Sequence, residues 1–106
     1  MSKTILALPQ TEVEVDGVTY LITAMPASVS LEIVEELMKL EGARPGMALV
    51  KRIVCGSVSL NGADITAKTF DIIFSRKTVH LYKLVDAVIQ WNMEDVFTSG
   101  TEEQEA

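Results

Sequence analysis

The alternation of polar and apolar residues between positions 11 and 23 predicts a β-hairpin. Asp16-Gly17 lies at its centre, and this dipeptide favours a type I′ turn, in which both central residues need a positive φ. A two-residue turn there places Val15 opposite Val18. Because side chains alternate between the two faces of a strand, the hairpin is expected to have one apolar face. That face contains Val13, Val15, Val18, Tyr20 and Ile22.

Beyond residue 26, apolar residues recur at three- and four-residue spacings, and this periodicity predicts four helices. The predicted helices span about residues 29–41, 47–59, 67–75 and 79–97. Serine or threonine hydroxyls near the helix starts can accept hydrogen bonds from free backbone N–H groups. These candidate caps are Ser28 or Ser30, Thr66 and Thr78. Asn61-Gly62 predicts a turn after the second helix.

These elements predict an α+β fold that is mostly α, with an N-terminal β-hairpin packed on a bundle of three to four helices. Residues 3–8 are a candidate third extended segment. We expect a single globular domain at 1–97, because 106 residues fit one domain and 48% of them are hydrophobic. The acidic segment 98–106 has no apolar anchor, and we expect it to be a disordered tail.

The first predicted helix carries more apolar surface than one core contact needs. Its apolar residues form two adjacent stripes, the first with Val29, Ile33, Leu37 and Leu40 and the second with Leu31, Val34 and Met38. Small domains bury most large apolar side chains, so one interpretation places both stripes in the core. The other leaves one stripe as a partner-binding surface. The candidate partner-binding residues are Leu31, Val34 and Met38, with Met93, Val96 and Phe97 near the end of the last helix.

The last predicted helix has a similar apolar arc, with Asn92 near its middle and Trp91 at its edge. A buried Asn must be hydrogen-bonded, because an unsatisfied amide costs about 1–3 kcal/mol. Asn92 therefore either satisfies a loop carbonyl in the same domain or fixes the register of a partner helix, as a buried Asn does in coiled coils. Trp91 either covers the edge of the core or contributes to binding.

The charge of the chain argues against nucleic acid as a partner. The formal net charge is −6, and the last residues Glu102, Glu103 and Glu105 supply three of the negative charges. Phosphate binding needs clustered Lys and Arg, and the sequence has no basic stripe. No apolar run approaches the roughly 20 residues that span a bilayer. We therefore expect a cytoplasmic protein that binds neither nucleic acid nor a membrane; the sequence leaves a homo-oligomer open.

The sequence contains no recognisable catalytic or metal-binding motif, so we expect neither an enzyme nor a bound cofactor or metal. The one histidine, His80, falls near the polar side of its helix, beside Lys83, as a surface residue. Cys55 follows Lys51 and Arg52, which would lower the pKa of an exposed thiol. A lone helical cysteine is more often a small core residue. The sequence favours binding to another protein over catalysis.

Several short patterns between about residues 17 and 100 resemble, in their order, the tail assembly chaperones of long-tailed bacteriophages. They are a Gly-x-x-Tyr strand at Gly17 and Tyr20, a Pro-Ala helix entry at Pro26-Ala27, the run Phe70-Asp71-Ile72-Ile73-Phe74, and Leu84-Val85-x-x-Val88-Ile89-x-x-Asn92 leading to Phe97. The resemblance implies a small, largely helical protein of the host cytoplasm. Such chaperones bind the aggregation-prone tape measure protein and recruit tail tube subunits around it. Many also have a longer form made by ribosomal frameshifting.

The resemblance thus implies the tape measure protein and the tail tube protein as partners, and it brings no catalytic residue. Tape measure segments are long helices with apolar faces, and a surplus stripe would receive one through i, i+3 and i+4 contacts. Two other classes stay open: a permanent small subunit of the virion tail or connector, and a small acidic inhibitor or regulator protein. The first would remain in finished particles, and the second would bind a basic site in a salt-dependent manner.

Overall fold

The structure is a computed structural model that describes residues 8–94. Val96, Phe97, the predicted tail and most of the extended segment predicted at 3–8 lie outside the described residues. Within them the chain forms four strands and four helices. In chain order these are β1 (Gln10–Val15), β2 (Val18–Thr23), α1 (Ala27–Lys39), α2 (Met47–Cys55), β3 (Val58–Leu60), β4 (Ala63–Asp64), α3 (Ala67–Ile73) and α4 (Thr78–Asn92).

The predicted hairpin is present in the predicted register. β1 and β2 pair antiparallel across a two-residue turn, with Val15 opposite Val18. Both turn residues have a positive φ, 51° at Asp16 and 85° at Gly17, as a type I′ turn requires. The apolar face of the hairpin is directed towards the core, where Tyr20 is buried.

A second hairpin, β3–β4, begins where the sequence analysis placed the end of a helix. The helix predicted at 47–59 ends at Cys55, and Val58 pairs with β2 instead. Gly56 ends α2 because glycine is a poor helix former, and the β-branched Val58 suits a buried strand. The predicted turn at Asn61-Gly62 joins β3 to β4, which gives a four-stranded sheet of order β1-β2-β3-β4. The α+β class is confirmed, with a larger β layer than the predicted hairpin.

Two of the three predicted helix caps are wrong. α1 starts directly after Pro26, and neither Ser28 nor Ser30 caps it, because both lie inside its first turn. Pro26 occupies the N-cap position with φ −55° and ψ 150°, and its fixed φ suits the start of a helix. At α4 the cap position is Lys77, and Thr78 is the first helical residue.

The core contains residues from the sheet and from all four helices. Its fully buried members are Tyr20, Ile22, Ile33, Val50, Ile53, Val54, Ile65, Leu84, Val85 and Val88. α2 contacts α1, α3 and α4, which makes it the central helix of the described fold. None of the helices between residues 8 and 94 is long and apolar enough to cross a membrane.

Candidate functional site

The two apolar stripes of α1 have different environments. Ile33, in the first stripe, is fully buried in the core. In the second stripe Leu31 is 65% exposed and Met38 is 72% exposed, while Val34 is half-buried. Because these three residues lie at i, i+3 and i+7, they form a ridge about 10 Å long. In this ridge, the α1 stripe, Val34 packs against the edge of the core, while Leu31 and Met38 stay exposed, so the interpretation that buries both stripes does not hold.

Acidic residues border one side of the α1 stripe. Glu35 lies one turn from Leu31 on the same side of the helix and is exposed. Its neighbour Glu32 forms an ion pair with Arg52 of α2. Glu35 makes no ion pair with another residue of the described chain. The α1 stripe therefore has an unneutralised carboxylate at its border.

Met93 does not join the α1 stripe as the sequence analysis expected. It is 2% exposed and belongs to the core, so it is not accessible to a partner. The physical reason is that α4 ends at Asn92 and Met93 is its C-cap residue, with φ −106° and ψ 18°, so its side chain packs into the core. Val96 and Phe97 lie outside the described residues, which leaves Leu31, Val34 and Met38 as the placed members of the predicted surface.

Asn92 is hydrogen-bonded inside the domain through both atoms of its side-chain amide. The backbone N–H of Met25 donates to Asn92 Oδ1 at 2.8 Å, and Asn92 Nδ2 donates to the carbonyl of Val88 at 2.9 Å. The loop partner is therefore an N–H group rather than the predicted carbonyl. These contacts support the interpretation in which Asn92 satisfies a loop of its own domain. Trp91 is half-buried and packs against the core.

A second apolar surface, which the sequence pattern did not predict, includes the first residue of α2 and the start of α4. Met47 is 57% exposed and Val79 is 71% exposed, and each lines a cavity with Tyr82, of about 160 Å³ and 470 Å³ respectively. The Tyr82 hydroxyl donates to the carbonyl of Pro45 at 3.0 Å, and its ring centre lies 4.8 Å from the guanidinium carbon of Arg44. Met47 continues the apolar spacing of Val50, Ile53 and Val54, but periodicity cannot show which part of that helix face lacks a neighbour.

His80 is the centre of a polar network and not an isolated surface residue. Its Nε2 lies 2.6 Å from the Tyr20 hydroxyl, and its Nδ1 lies 3.1 Å from the Asp16 carboxylate. Lys83 Nζ lies 2.9 Å from the other Asp16 oxygen. The His80 side chain is only 11% exposed, so its predicted surface position is wrong. Asp16 is distant in the sequence, and a helical projection of α4 alone cannot reveal that the hairpin turn covers His80.

The network shifts the pKa values of two of its members in opposite directions. Hydrogen bonds from Lys83 and then from His80 lower the pKa of Asp16. Burial, and then the nearby Asp16 charge, raises the pKa of Tyr20. Since Tyr20 is buried, the network gives no ligand direct access to its hydroxyl. It joins the hairpin turn to α4.

The remaining candidate for chemistry is Cys55. Burial raises the pKa of its thiol, and the charge of Lys51 opposes this only in part. This direction favours the interpretation as a small core residue over an activated thiol. Among residues 8–94, no group of three or more His, Cys, Asp and Glu side chains is placed to hold a metal ion.

Comparison with protein-family models, with curated proteins and with solved structures finds no match to this chain. The candidate functional site is therefore identified from geometry. The α1 stripe is the strongest candidate, because it presents large apolar side chains on one helix beside an unneutralised carboxylate. Apolar side chains at i, i+3 and i+7 on a helix are the arrangement used in helix-in-groove recognition.

Proposed function

We propose that this protein is a bacteriophage tail assembly chaperone that binds the tape measure protein and recruits tail tube subunits during tail assembly. The observation that carries the proposal is the α1 stripe, where Leu31 and Met38 are largely exposed on one face of a helix. Large apolar side chains exposed on the same face of one helix favour an interaction surface more than scattered single ones do. The order of short sequence patterns along the chain supports the same class of protein.

A helical segment of the tape measure protein would lie along α1 and cover the α1 stripe with its own apolar face. Full burial of a Leu or Met side chain contributes roughly 1.5–3 kcal/mol, so this short stripe supports weak binding at each site. Weak sites suit a chaperone, which must cover a long helix with many copies and later dissociate. Met38 is well placed for this role, because its flexible thioether adapts to apolar faces of varied shape.

Glu35 adds selectivity for the orientation of the partner helix. A lysine or arginine beside the apolar face of that helix would pair with the Glu35 carboxylate. An exposed ion pair of this kind contributes at most about 1 kcal/mol. It would therefore set the direction and register of the partner more than its affinity.

Co-expression with a bacteriophage tape measure protein tests the proposal. The wild-type chain should keep the tape measure protein soluble and be retained by a tagged fragment of it. Met38→Asp and Leu31→Asp each place a charge in the apolar contact, and we expect each to weaken retention about tenfold. Ile72→Asp is the matched control, since Ile72 is 75% exposed and belongs to a different helix, α3. Far-UV circular dichroism checks that every variant is folded.

Equal retention of the wild type and both α1 variants would remove the α1 stripe from the proposal. The protein content of purified phage particles distinguishes a chaperone from a permanent subunit. A chaperone should be absent from finished particles, whereas a tail or connector subunit should be present in fixed stoichiometry. An acidic inhibitor would lose affinity steeply with added salt, whereas apolar binding would not. Recovery of tail tube protein only when the tape measure fragment is present would support the recruitment step.

A further inference from the structure

β1 forms an edge of the sheet. It is the first strand in the order β1-β2-β3-β4, and β2 is its partner among the described strands. Hydrogen-bonded and non-hydrogen-bonded pairs alternate along an antiparallel ladder. Val15 and Val18 flank the two-residue turn and form a hydrogen-bonded pair. The backbone N–H and C=O groups of Glu14, the next residue back along β1, therefore point away from β2.

A hydrogen bond to the third strand supports this alternation. Thr23 donates its N–H to the carbonyl of Ser57 at 2.7 Å, on the β3 side of β2. On β1, Thr23 pairs with Gln10. The backbone N–H and C=O groups of Gln10 therefore also point away from β2. The outward row comprises Gln10, Glu12 and Glu14, and no backbone group of another described residue bonds to it. The β1 edge, defined by these three residues, is a template for one more strand.

We propose that the β1 edge binds an extended segment of a partner protein that carries lysine or arginine at alternate positions. Such a segment would bond to the outward N–H and C=O groups, as in other cases of strand addition. Glu12 of β1 pairs with Leu21 of β2, which pairs with Ser59 of β3, which pairs with Asp64 of β4. These four residues form one row across the sheet. The carboxylates of Glu12 and Asp64 therefore lie on the same exposed face.

The charge of this face determines the chemistry of the partner. Glu14 adds a third carboxylate to the same face, and the four strands contain no lysine or arginine. An incoming strand places alternate side chains beside Glu12 and Glu14. Opposite charges at directly facing positions stabilise a strand pair, and like charges destabilise it. A basic segment therefore fits the β1 edge better than a neutral or acidic one.

The same charges disfavour a second copy of this chain as the occupant. Antiparallel pairing of two β1 strands about Glu12 sets the two Glu12 carboxylates opposite each other, and a shift of register sets Glu12 opposite Glu14. Charged side chains on an edge strand are a common protection against self-association. The β1 edge belongs to a different element from the α1 stripe, so this proposal does not depend on the proposed function.

Amide hydrogen exchange, followed residue by residue by NMR in dilute protein, tests whether the β1 edge is free. The amides of Glu12 and Glu14 should exchange much faster than those of Val13 and Val15, whose N–H groups bond to β2. A peptide in which lysine and threonine alternate should slow exchange at Glu12 and Glu14. Equal protection at all four amides in dilute protein would show an edge already covered by its own chain. Protection that grows with protein concentration would identify a second copy, and either result overturns the proposal.

Charge reversal tests the chemistry of the partner at low salt. Glu12→Lys/Glu14→Lys should bind the lysine–threonine peptide about tenfold more weakly and a glutamate–threonine peptide about tenfold more tightly than the wild type does. Glu12→Gln/Glu14→Gln keeps the backbone groups and should weaken binding of the lysine–threonine peptide about threefold. Slow amide hydrogen exchange at Val13 and Val15 shows that each variant is folded. An unchanged peptide preference in the reversed variant would contradict the proposal.

Discussion

At the scale of single residues, one side-chain amide connects the end of α4 to the loop after β2. Met25 is buried, and its N–H donates to Asn92 Oδ1. When a buried backbone N–H loses its acceptor, water does not readily replace the lost hydrogen bond. The contribution of Asn92 to stability should therefore exceed that of an ordinary residue at a helix end.

Asn92→Ala should lower the free energy of unfolding by about 1–3 kcal/mol, because the Met25 N–H loses its acceptor. Urea denaturation followed by tryptophan fluorescence measures this change. Gln90→Ala is the control, since Gln90 is an exposed residue of the same helix, and it should change stability by no more than about 0.5 kcal/mol. An equally small change in Asn92→Ala would mean that water replaces the amide.

Residue roles set by the local sequence were predictable, and roles set by a distant partner were not. The apolar arc of α4 identified Asn92 as a residue that needs a hydrogen bond, but the pattern does not reveal that Met25 supplies the N–H. His80 was misplaced for the same reason. Its own helix projects it near the polar side, and the residue that covers it, Asp16, belongs to the hairpin turn.

At the scale of elements, α3 begins with a reciprocal cap that was predictable in part. The Thr66 hydroxyl accepts from the Thr69 N–H at 3.3 Å, and the Thr69 hydroxyl accepts from the Thr66 N–H at 2.9 Å. The sequence identified Thr66 as the cap. The return bond was missed because a capping box usually has Glu or Gln at the third helical position, where this chain has Thr69.

Thr66→Ala should therefore lower stability by about 0.5–2 kcal/mol, the usual effect of removing an N-cap hydroxyl. Thermal unfolding followed by circular dichroism gives the change. Ser28→Ala is the matched comparison, since Ser28 is a candidate cap in the sequence and makes no cap hydrogen bond in α1. It should leave stability within about 0.5 kcal/mol of the wild type. A larger loss in Ser28→Ala than in Thr66→Ala would contradict both assignments.

Periodicity predicted the first hairpin and the existence of each helix, because both repeats are visible over a few neighbouring residues. It extended α2 too far because Val58 continues the apolar rhythm of that helix. Gly56 was the one local signal for an earlier end, and a single glycine is tolerated in many helices. β3 forms because β2 offers it a partner, and the pairing of Val58 with Ile22 is not a local property.

At the scale of the whole molecule, the chain has a mean hydropathy of +0.27, and several large apolar side chains stay exposed after the core is filled. Among the described residues they are Leu31 and Met38 of the α1 stripe, Met47 and Val79 at the second apolar surface, and the separate residues Leu8 and Ile72. Helical projection gave the members of the α1 stripe, but burial depends on which elements cover each face. Only the assembled fold distinguishes Ile33, which is covered, from Leu31 on the same helix, which is not.

The network of Asp16, His80 and Tyr20 makes the stability of the whole molecule dependent on pH at the alkaline end. Burial, and then the Asp16 charge, raises the pKa of Tyr20 above the ordinary value of 10.0. Above that pH the unfolded chain releases the phenol proton while the folded chain retains it. The stabilisation is thus fully present below pH 10.0 and is lost as the pH rises towards the folded-state pKa of Tyr20.

Tyr20→Phe should remove this part of the alkaline loss, although it also loses the hydrogen bond to His80 and should be less stable at neutral pH. Urea denaturation at a series of pH values from neutral to alkaline measures both effects. Tyr82→Phe is the control, because it removes a phenol outside the network and should keep the wild-type decrease. If the stability of Tyr20→Phe falls as steeply as that of the wild type above pH 10.0, the alkaline loss of stability arises from other groups. The buried phenol of Tyr20 would then not be the group that makes stability depend on pH.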